Sequence, residues 1–139
     1  IKKMSAFKKK LLITGGAGFI GSNFINYMHR CYPDYKILLL DALTYAGNLD
    51  NISPALKSNS HFEFFHGNIT HPDLVGKLVA EADIVVHFAA ESHVTRSIYD
   101  NAIFFETDVI GTQVVANAAV NNPVELFVHI HLQRLMERL

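Results

Sequence analysis

The sequence predicts an α/β fold, a doubly wound parallel sheet of about five strands with helices on both faces. Two observations predict it. Short apolar runs, each long enough for one buried strand, alternate with longer segments whose apolar residues recur at helical spacing. A glycine-rich segment, 15–21, directly follows the first apolar run, so the chain turns sharply from a strand into a helix. In such folds, ligands bind where the carboxyl ends of the strands meet.

The predicted elements follow one another without an internal repeat or a domain boundary. Strands are predicted at residues 10–14, 36–40, 62–66, 84–88 and 125–130. Helices are predicted at residues 19–27, 71–81 and 98–120, with a short helix near 49–56. Thr70 is the expected N-cap of the 71–81 helix, with Pro72 in its first turn. Pro123 ends the last helix.

Composition and charge exclude several classes of protein. The chain has 139 residues, 50% of them apolar and 18% charged, which indicates a single folded domain. A formal net charge of −1 gives no reason to expect nucleic acid or an anionic membrane as a partner. No apolar run approaches the ~18 residues of a membrane span, and no secretory signal is evident, so we expect a cytoplasmic protein. The single cysteine, Cys31, excludes an internal disulfide. The eight histidines lack the cysteine or carboxylate partners of a metal site.

A dinucleotide site is predicted where the first two strands end. Gly15, Gly18 and Gly21 form a G-x-x-G-x-x-G pattern, in which backbone N–H groups at a helix start face a pyrophosphate. The second strand is followed by Asp41, 20 residues beyond Gly21, where a carboxylate accepts hydrogen bonds from both adenosine ribose hydroxyls. Because its charge repels a 2′-phosphate, the expected cofactor is NAD rather than NADP. The combination is typical of a Rossmann-type domain.

Three longer segments resemble one enzyme family among the extended short-chain dehydrogenases/reductases. They are the loop after the second strand (41–48, DALTYAGN), the loop after the fourth strand (87–97, HFAAESHVTRS) and part of the long helix (105–112, FETDVIGT). With the glycines, they resemble the dTDP-glucose 4,6-dehydratases over residues 9–130. The resemblance implies an NAD-dependent lyase of nucleotide-sugar metabolism that acts on a dTDP-hexose.

The resemblance also implies a set of binding residues. Those implied for the cofactor are Gly15, Gly18, Phe19, Ile20, Gly21, Asp41, Ala42, Leu43, Thr44, Asn68, Ile69, Phe88, Ala89, Ala90, Glu91 and Thr107, with Ser92 implied for the sugar nucleotide. Phe19 and Ile20 would offer backbone amides to the pyrophosphate, and Asn68 and Ile69 would flank the adenine. Asn68 stands where the family usually has Asp, and an amide can still accept a hydrogen bond there. Thr95 and Asp108 also depart from the family pattern.

The implied reaction requires catalytic residues that this sequence does not contain. A hydride passes from C4 of the glucose ring to NAD⁺, water leaves across C5 and C6, and the hydride returns to C6. The family's Asp-Glu pair after the fifth strand and its downstream Tyr-x-x-x-Lys do not follow Ile130. Tyr32 and Lys36 give the one Tyr-x-x-x-Lys match, but they lie at the opposite edge of the predicted sheet. We therefore assign no catalytic residue and expect the chain alone to be inactive.

These observations predict three segments and leave alternatives open. We expect an N-terminal extension (1–8), an NAD-binding Rossmann domain (9–130) and an aberrant tail (131–139), which suggests a frameshift or a truncated reading frame. The alternatives are a non-catalytic NAD-binding fragment or remnant, and another extended-family sugar-nucleotide epimerase. The resemblance allows a homodimer of the family type. The missing later strands predict self-association through an apolar face near the fifth strand.

Overall fold

The computed structural model describes residues 6–44, 47–89, 102 and 105–130. The five strands are β1 (Lys9–Thr14), β2 (Tyr35–Asp41), β3 (Phe62–His66), β4 (Ile84–His87) and β5 (Leu126–His129). The α-helices are α1 (Phe19–Cys31), α2 (Pro54–Lys57), α3 (Pro72–Glu81) and α4 (Thr112–Asn121). A 3₁₀ turn (Leu49–Asn51) precedes α2, and a π-helical segment (Phe105–Gly111) leads directly into α4.

The strands form one parallel sheet in the order β3-β2-β1-β4-β5. The central strand β1 pairs with β2 on one side and with β4 on the other, so that Leu12 lies opposite both Leu38 and Val85. Each predicted strand is present and differs from its prediction by at most one residue at either end. The predicted fold class, a Rossmann-type doubly wound sheet, is confirmed.

Alternate residues of the strands face two separate cores. Leu12, Leu38 and Val85 point to one face of the sheet, where they pack with buried residues of α3 and α4. Leu11, Leu39 and Val86 point to the other face, where α1 and α2 contribute Ile25 and Leu56. Successive side chains of a strand point to opposite faces, so an unbroken apolar run is what a strand covered on both faces requires.

Two helical predictions differ from the structure in detail. The N-cap of α3 is His71 and not Thr70, because the Thr70 backbone N–H and hydroxyl both donate to the Asn68 side chain instead. The short helix expected near 49–56 is divided into two pieces. Asn48 accepts from the Asp50 N–H at the start of the 3₁₀ turn, and Ser53 caps α2. The predicted long helix lies partly outside the described residues, and from Phe105 onward it consists of the π-helical segment followed by α4.

The fifth strand occupies one edge of the sheet. Leu126 at its start is 52% exposed, and Lys9 of β1 forms an ion pair with Glu125 just before it, with Nζ 2.7 Å from Oε1. The expected self-association through this face stays a prediction. Within the described part of the chain, no helix is long and apolar enough to cross a membrane.

Candidate functional site

A cleft of about 320 Å³ lies at the carboxyl edge of the sheet, where the predicted ligand site was placed. It is lined by Gly15, Gly18, Phe19, Ile20, Gly21, Leu40, Asp41, Ala42, Thr44, Gly47, Gly67, Asn68, Ile69, Phe88, Ala89, Thr107 and Ile130. The structure therefore brings thirteen of the seventeen implied binding residues to one cavity. Ala90, Glu91 and Ser92 lie outside the described residues.

The glycine turn that begins the cleft is held tightly to the strands beside it. Gly15 has a φ of +70°, a conformation that side chains with a Cβ rarely adopt. A Cβ on Gly15 would also lie 2.5 Å from the backbone N and Cα of Ala89, which follows β4. The Gly15 N–H donates to the Leu40 carbonyl at 2.9 Å. Gly15, directly after β1, therefore contacts both the end of β2 and the loop that follows β4.

Gly18 differs from Gly15 because no protein atom crowds it. The nearest atom to a Cβ at Gly18 would be the Gly15 carbonyl oxygen, at 3.5 Å, which is an ordinary contact. Gly18 has an extended backbone and is the N-cap of α1, with no side-chain hydrogen bond to the first turn. The N-terminal N–H groups of α1 therefore meet the cleft where Phe19 and Ile20 line it. An uncapped helix start of this kind suits an anionic group.

Asp41 is fixed in the cleft by the backbone on both sides of it. Its Oδ2 accepts from the Ala17 N–H of the glycine turn at 2.9 Å, and its Oδ1 accepts from the Leu43 N–H at 2.8 Å. Leu43 has a φ of +51° and contributes this bond without lining the cleft. Each carboxylate oxygen accepts at more than one position, so Asp41 keeps acceptor capacity toward the cavity that it lines.

Asn68 lines the same cleft beyond the end of β3, and its orientation corrects one expectation. Its Oδ1 accepts from the Thr70 N–H and from the Thr70 hydroxyl, both at 3.0 Å. Two donors occupy the two lone pairs of a carbonyl oxygen. The amide of Asn68 is therefore not the acceptor toward the cleft that the sequence suggested. The backbone carbonyl of Asn68 accepts from the His71 N–H, which closes the turn into α3.

A second polar cluster lies under the other side of the cleft. His87 at the end of β4 is completely buried, and its Nδ1 lies 2.6 Å from the Thr14 hydroxyl. Its Nε2 lies 2.8 Å from the hydroxyl of Thr112, the first residue of α4. Burial lowers the pKa of His87 to about 4, with a further lowering from His129, whose ring centroid is 5.0 Å away. The neutral imidazole thus links β1, β4 and α4.

Four lining residues were not predicted. They are Leu40, Gly47, Gly67 and Ile130. Leu40 and Gly67 immediately precede the predicted residues Asp41 and Asn68, and Ile130 follows β5. The rule that ligands bind at the carboxyl ends of parallel strands would have been enough to find Leu40, Gly67 and Ile130. Gly47 lies close to Asp41, since a Cβ there would be 2.9 Å from Oδ1.

The sequence features set aside earlier lie away from the cleft. Tyr32 is the C-cap of α1, and Lys36 pairs with Glu63 of β3 at 3.0 Å, at the amino end of β2. Neither lines the cavity. Among the described residues, no group of three His, Cys, Asp or Glu side chains is placed to hold a metal ion.

Comparison with known proteins agrees with this geometry. The family model of GDP-mannose 4,6 dehydratase matches residues 12–131. The low-salt glycan biosynthesis protein Agl12 of Haloferax volcanii is 48% identical over 120 residues, which are 86% of this chain and 38% of that protein. A dTDP-glucose 4,6-dehydratase of Mycobacterium tuberculosis is 44% identical over 117 residues, which are 84% of this chain and 34% of that protein.

A solved structure gives the same result in three dimensions. The dTDP-glucose 4,6-dehydratase DesIV of Streptomyces venezuelae, solved with NAD and TYD bound, superimposes with a TM-score of 0.79 at 44% identity. The match covers 86% of this chain and 38% of DesIV. The chain thus spans little more than a third of the length of the relatives that it matches. With a family model that covers most of its length, the chain belongs to the GDP-mannose 4,6-dehydratase family.

Proposed function

We propose that this chain is the NAD-binding part of a nucleotide-sugar 4,6-dehydratase that acts on dTDP-glucose. One observation carries the proposal. Asp41 is held in the cleft by the Ala17 and Leu43 N–H groups, so its carboxylate stands beside the glycine turn with acceptor capacity left over. That arrangement suits a ribose with two free hydroxyls joined to a pyrophosphate.

The described residues fit the rest of an NAD molecule as well. Gly18 leaves open the space that a Cβ would occupy, and the uncapped start of α1 faces the same space, which supports a pyrophosphate position there. Leu40, Ala42 and Ile69 give the far end of the cleft an apolar lining that suits a base. Ala89 and Thr107 line the side toward β4 and the π-helical segment, where the cofactor would continue.

The contribution of this chain to the reaction is binding and orientation. NAD, when bound, would supply the hydride-transfer chemistry of the reaction. Asp41 is the one residue with an ionisable side chain among the described residues that line the cleft, and its oxygens hold the two loops and would accept from the ribose. A general base for the sugar is absent from that lining. We therefore propose that the 139-residue chain binds NAD without turning over a sugar nucleotide.

A calorimetric titration with NAD⁺ tests the proposal. Saturable binding is expected, with NADP⁺ bound at least about tenfold more weakly because its 2′-phosphate meets the Asp41 carboxylate. Asp41→Ala should weaken NAD⁺ binding by at least about tenfold, since it removes the ribose acceptor. Asp34→Ala is the matched control, because Asp34 is an exposed carboxylate just before the opposite end of the same strand.

Two results would contradict the proposal. The first is a wild-type chain that is folded by circular dichroism and yet gives no heat with NAD⁺. The second is an equal loss of affinity in the Asp41 and Asp34 variants. Incubation of the chain with dTDP-glucose and NAD⁺ tests the proposal that it has no catalytic activity of its own. Formation of the 4-keto-6-deoxy product would show that the chain carries catalytic groups beyond the described lining and would reject the reading as a non-catalytic fragment.

A further inference from the structure

The cleft crosses the sheet in the same order as its strands. The glycine turn follows β1, Asp41 ends β2, and Asn68 lies two residues beyond the end of β3. A dinucleotide with its pyrophosphate on the turn and its ribose on Asp41 therefore directs its base toward Asn68. The Gly67 N–H donates to the Asp41 carbonyl at 3.1 Å, which keeps these two positions adjacent.

The local hydrogen bonds decide which end of the Asn68 amide faces that base. The Thr70 backbone N–H can only donate, so the atom that it contacts at 3.0 Å must be the amide oxygen. The Thr70 hydroxyl donates to the same oxygen, also at 3.0 Å. With its oxygen occupied by the turn into α3, the amide has its NH₂ group left for the cleft. That group carries two donors and no acceptor.

We propose that Asn68 makes the base end of the cleft a hydrogen-bond donor, so that the site favours a purine with a 6-oxo group over one with a 6-amino group. This inference rests on the proposed function and adds a preference for the base. The amino group of adenine is itself a donor and has no partner on the Asn68 NH₂. The carbonyl of hypoxanthine is an acceptor and does pair with it. A carboxylate at position 68 would favour adenine instead.

Titrations with two dinucleotides test this inference on the full 139-residue chain. The probes are NAD⁺ and nicotinamide hypoxanthine dinucleotide, which differ at the 6-position of the purine. For wild type, the hypoxanthine dinucleotide should bind about threefold more tightly than NAD⁺, because only its 6-oxo group accepts from the Asn68 NH₂. In Asn68→Asp, the ratio of the hypoxanthine constant to the NAD⁺ constant should rise by about tenfold or more, because the carboxylate accepts from the 6-amino group.

A structural control separates base recognition from the shape of the turn. Thr70→Val removes the hydroxyl but keeps the backbone N–H that orients the Asn68 oxygen, so the ratio should change by less than about twofold. Circular dichroism melting confirms that each variant is folded.

The outcomes distinguish this inference from the function on which it rests. Binding of both dinucleotides with the same ratio in wild type and Asn68→Asp would overturn the inference alone. A wild-type chain that binds NAD⁺ as tightly as the hypoxanthine dinucleotide, or more tightly, would overturn it as well. A folded wild-type chain that binds neither dinucleotide would overturn the proposed function and the inference together.

Discussion

The two sides of the cleft hold their polar groups in different ways. On the β2–β3 side, Asp41 and Asn68 are fixed by neighbouring N–H groups and still line the cavity. On the β4 side, both ring nitrogens of His87 are used by Thr14 and Thr112, and the ring does not line the cavity. The polar groups of the β2–β3 side are therefore accessible to a ligand, whereas His87 on the β4 side links β1, β4 and α4.

This difference separates two kinds of mutational effect. Changes on the β2–β3 side should alter the dissociation constant of NAD⁺ more than the free energy of unfolding. Changes on the β4 side should lower the free energy of unfolding first. The glycine turn tests the distinction within a few residues, because Gly15 contacts the β4 side and Gly18 faces the cavity.

Gly15→Ala should have the largest effect. Its Cβ would overlap the Ala89 backbone at 2.5 Å, and the residue would keep a φ of +70° that alanine disfavours. We expect the free energy of unfolding to fall by about 2–4 kcal/mol, because neither neighbour is a flexible side chain. Urea denaturation measures the change. A variant as stable as wild type would show that the β4 loop is not packed on the turn.

The stability of the chain should also depend on pH through His87. Its pKa is lowered to about 4 in the folded state, whereas the ordinary value in an unfolded chain is 6.5. Between these values the unfolded chain binds the additional proton, so stability rises with pH and is lost as the pH falls below 6.5. From pH 7 to pH 4, the contribution of His87 should fall by about 3 kcal/mol.

The non-titrating variant His87→Asn isolates this contribution from those of the other histidines. It should be less stable than wild type at pH 7, because the linkage among β1, β4 and α4 is disturbed. Between pH 7 and pH 4, the free energy of unfolding of the variant should fall by about 3 kcal/mol less than that of wild type. Equal pH dependence in the two proteins, measured by urea denaturation at both pH values, would mean that folding does not lower the pKa of His87.

Gly18→Ala should have the smallest effect, and it should weaken NAD⁺ binding without changing the free energy of unfolding. The extended backbone of Gly18 suits alanine, and the nearest atom to the new Cβ is 3.5 Å away, so stability should stay within about 0.5 kcal/mol of wild type. The methyl group would occupy the space proposed for the pyrophosphate, and NAD⁺ affinity should fall by about tenfold. Unchanged affinity in calorimetry would place the phosphates elsewhere.

The sequence predicted the features that depend on local patterns. The strands came within one residue at each end because a strand covered on both faces needs an unbroken apolar run, as in Leu38–Leu40. The cleft was predicted because a G-x-x-G-x-x-G turn after the first strand, with Asp41 20 residues beyond Gly21, is typical of a dinucleotide site. The NAD contacts of individual residues stay predictions.

Features that depend on distant partners were not predictable. His87 reaches Thr14 across 73 residues and Thr112 across 25, and nothing local to any of them indicates the cluster. The orientation of Asn68 was missed for a shorter-range reason. Threonine is a common N-cap residue, but the N–H and hydroxyl of Thr70 both donate to the Asn68 side chain. His71 is therefore the N-cap of α3.

The central place of β1 has a consequence for how the chain folds during synthesis. Its pairing with β2 joins residues about 26 apart, such as Leu11 and Ile37, whereas its pairing with β4 joins Leu11 to Ile84. Loop closure over the longer separation is slower. Until β4 leaves the ribosome, the other edge of β1 has no partner strand within the described residues. A nascent chain would therefore expose the unpaired backbone groups along one edge of β1 during that interval, and such an edge favours aggregation.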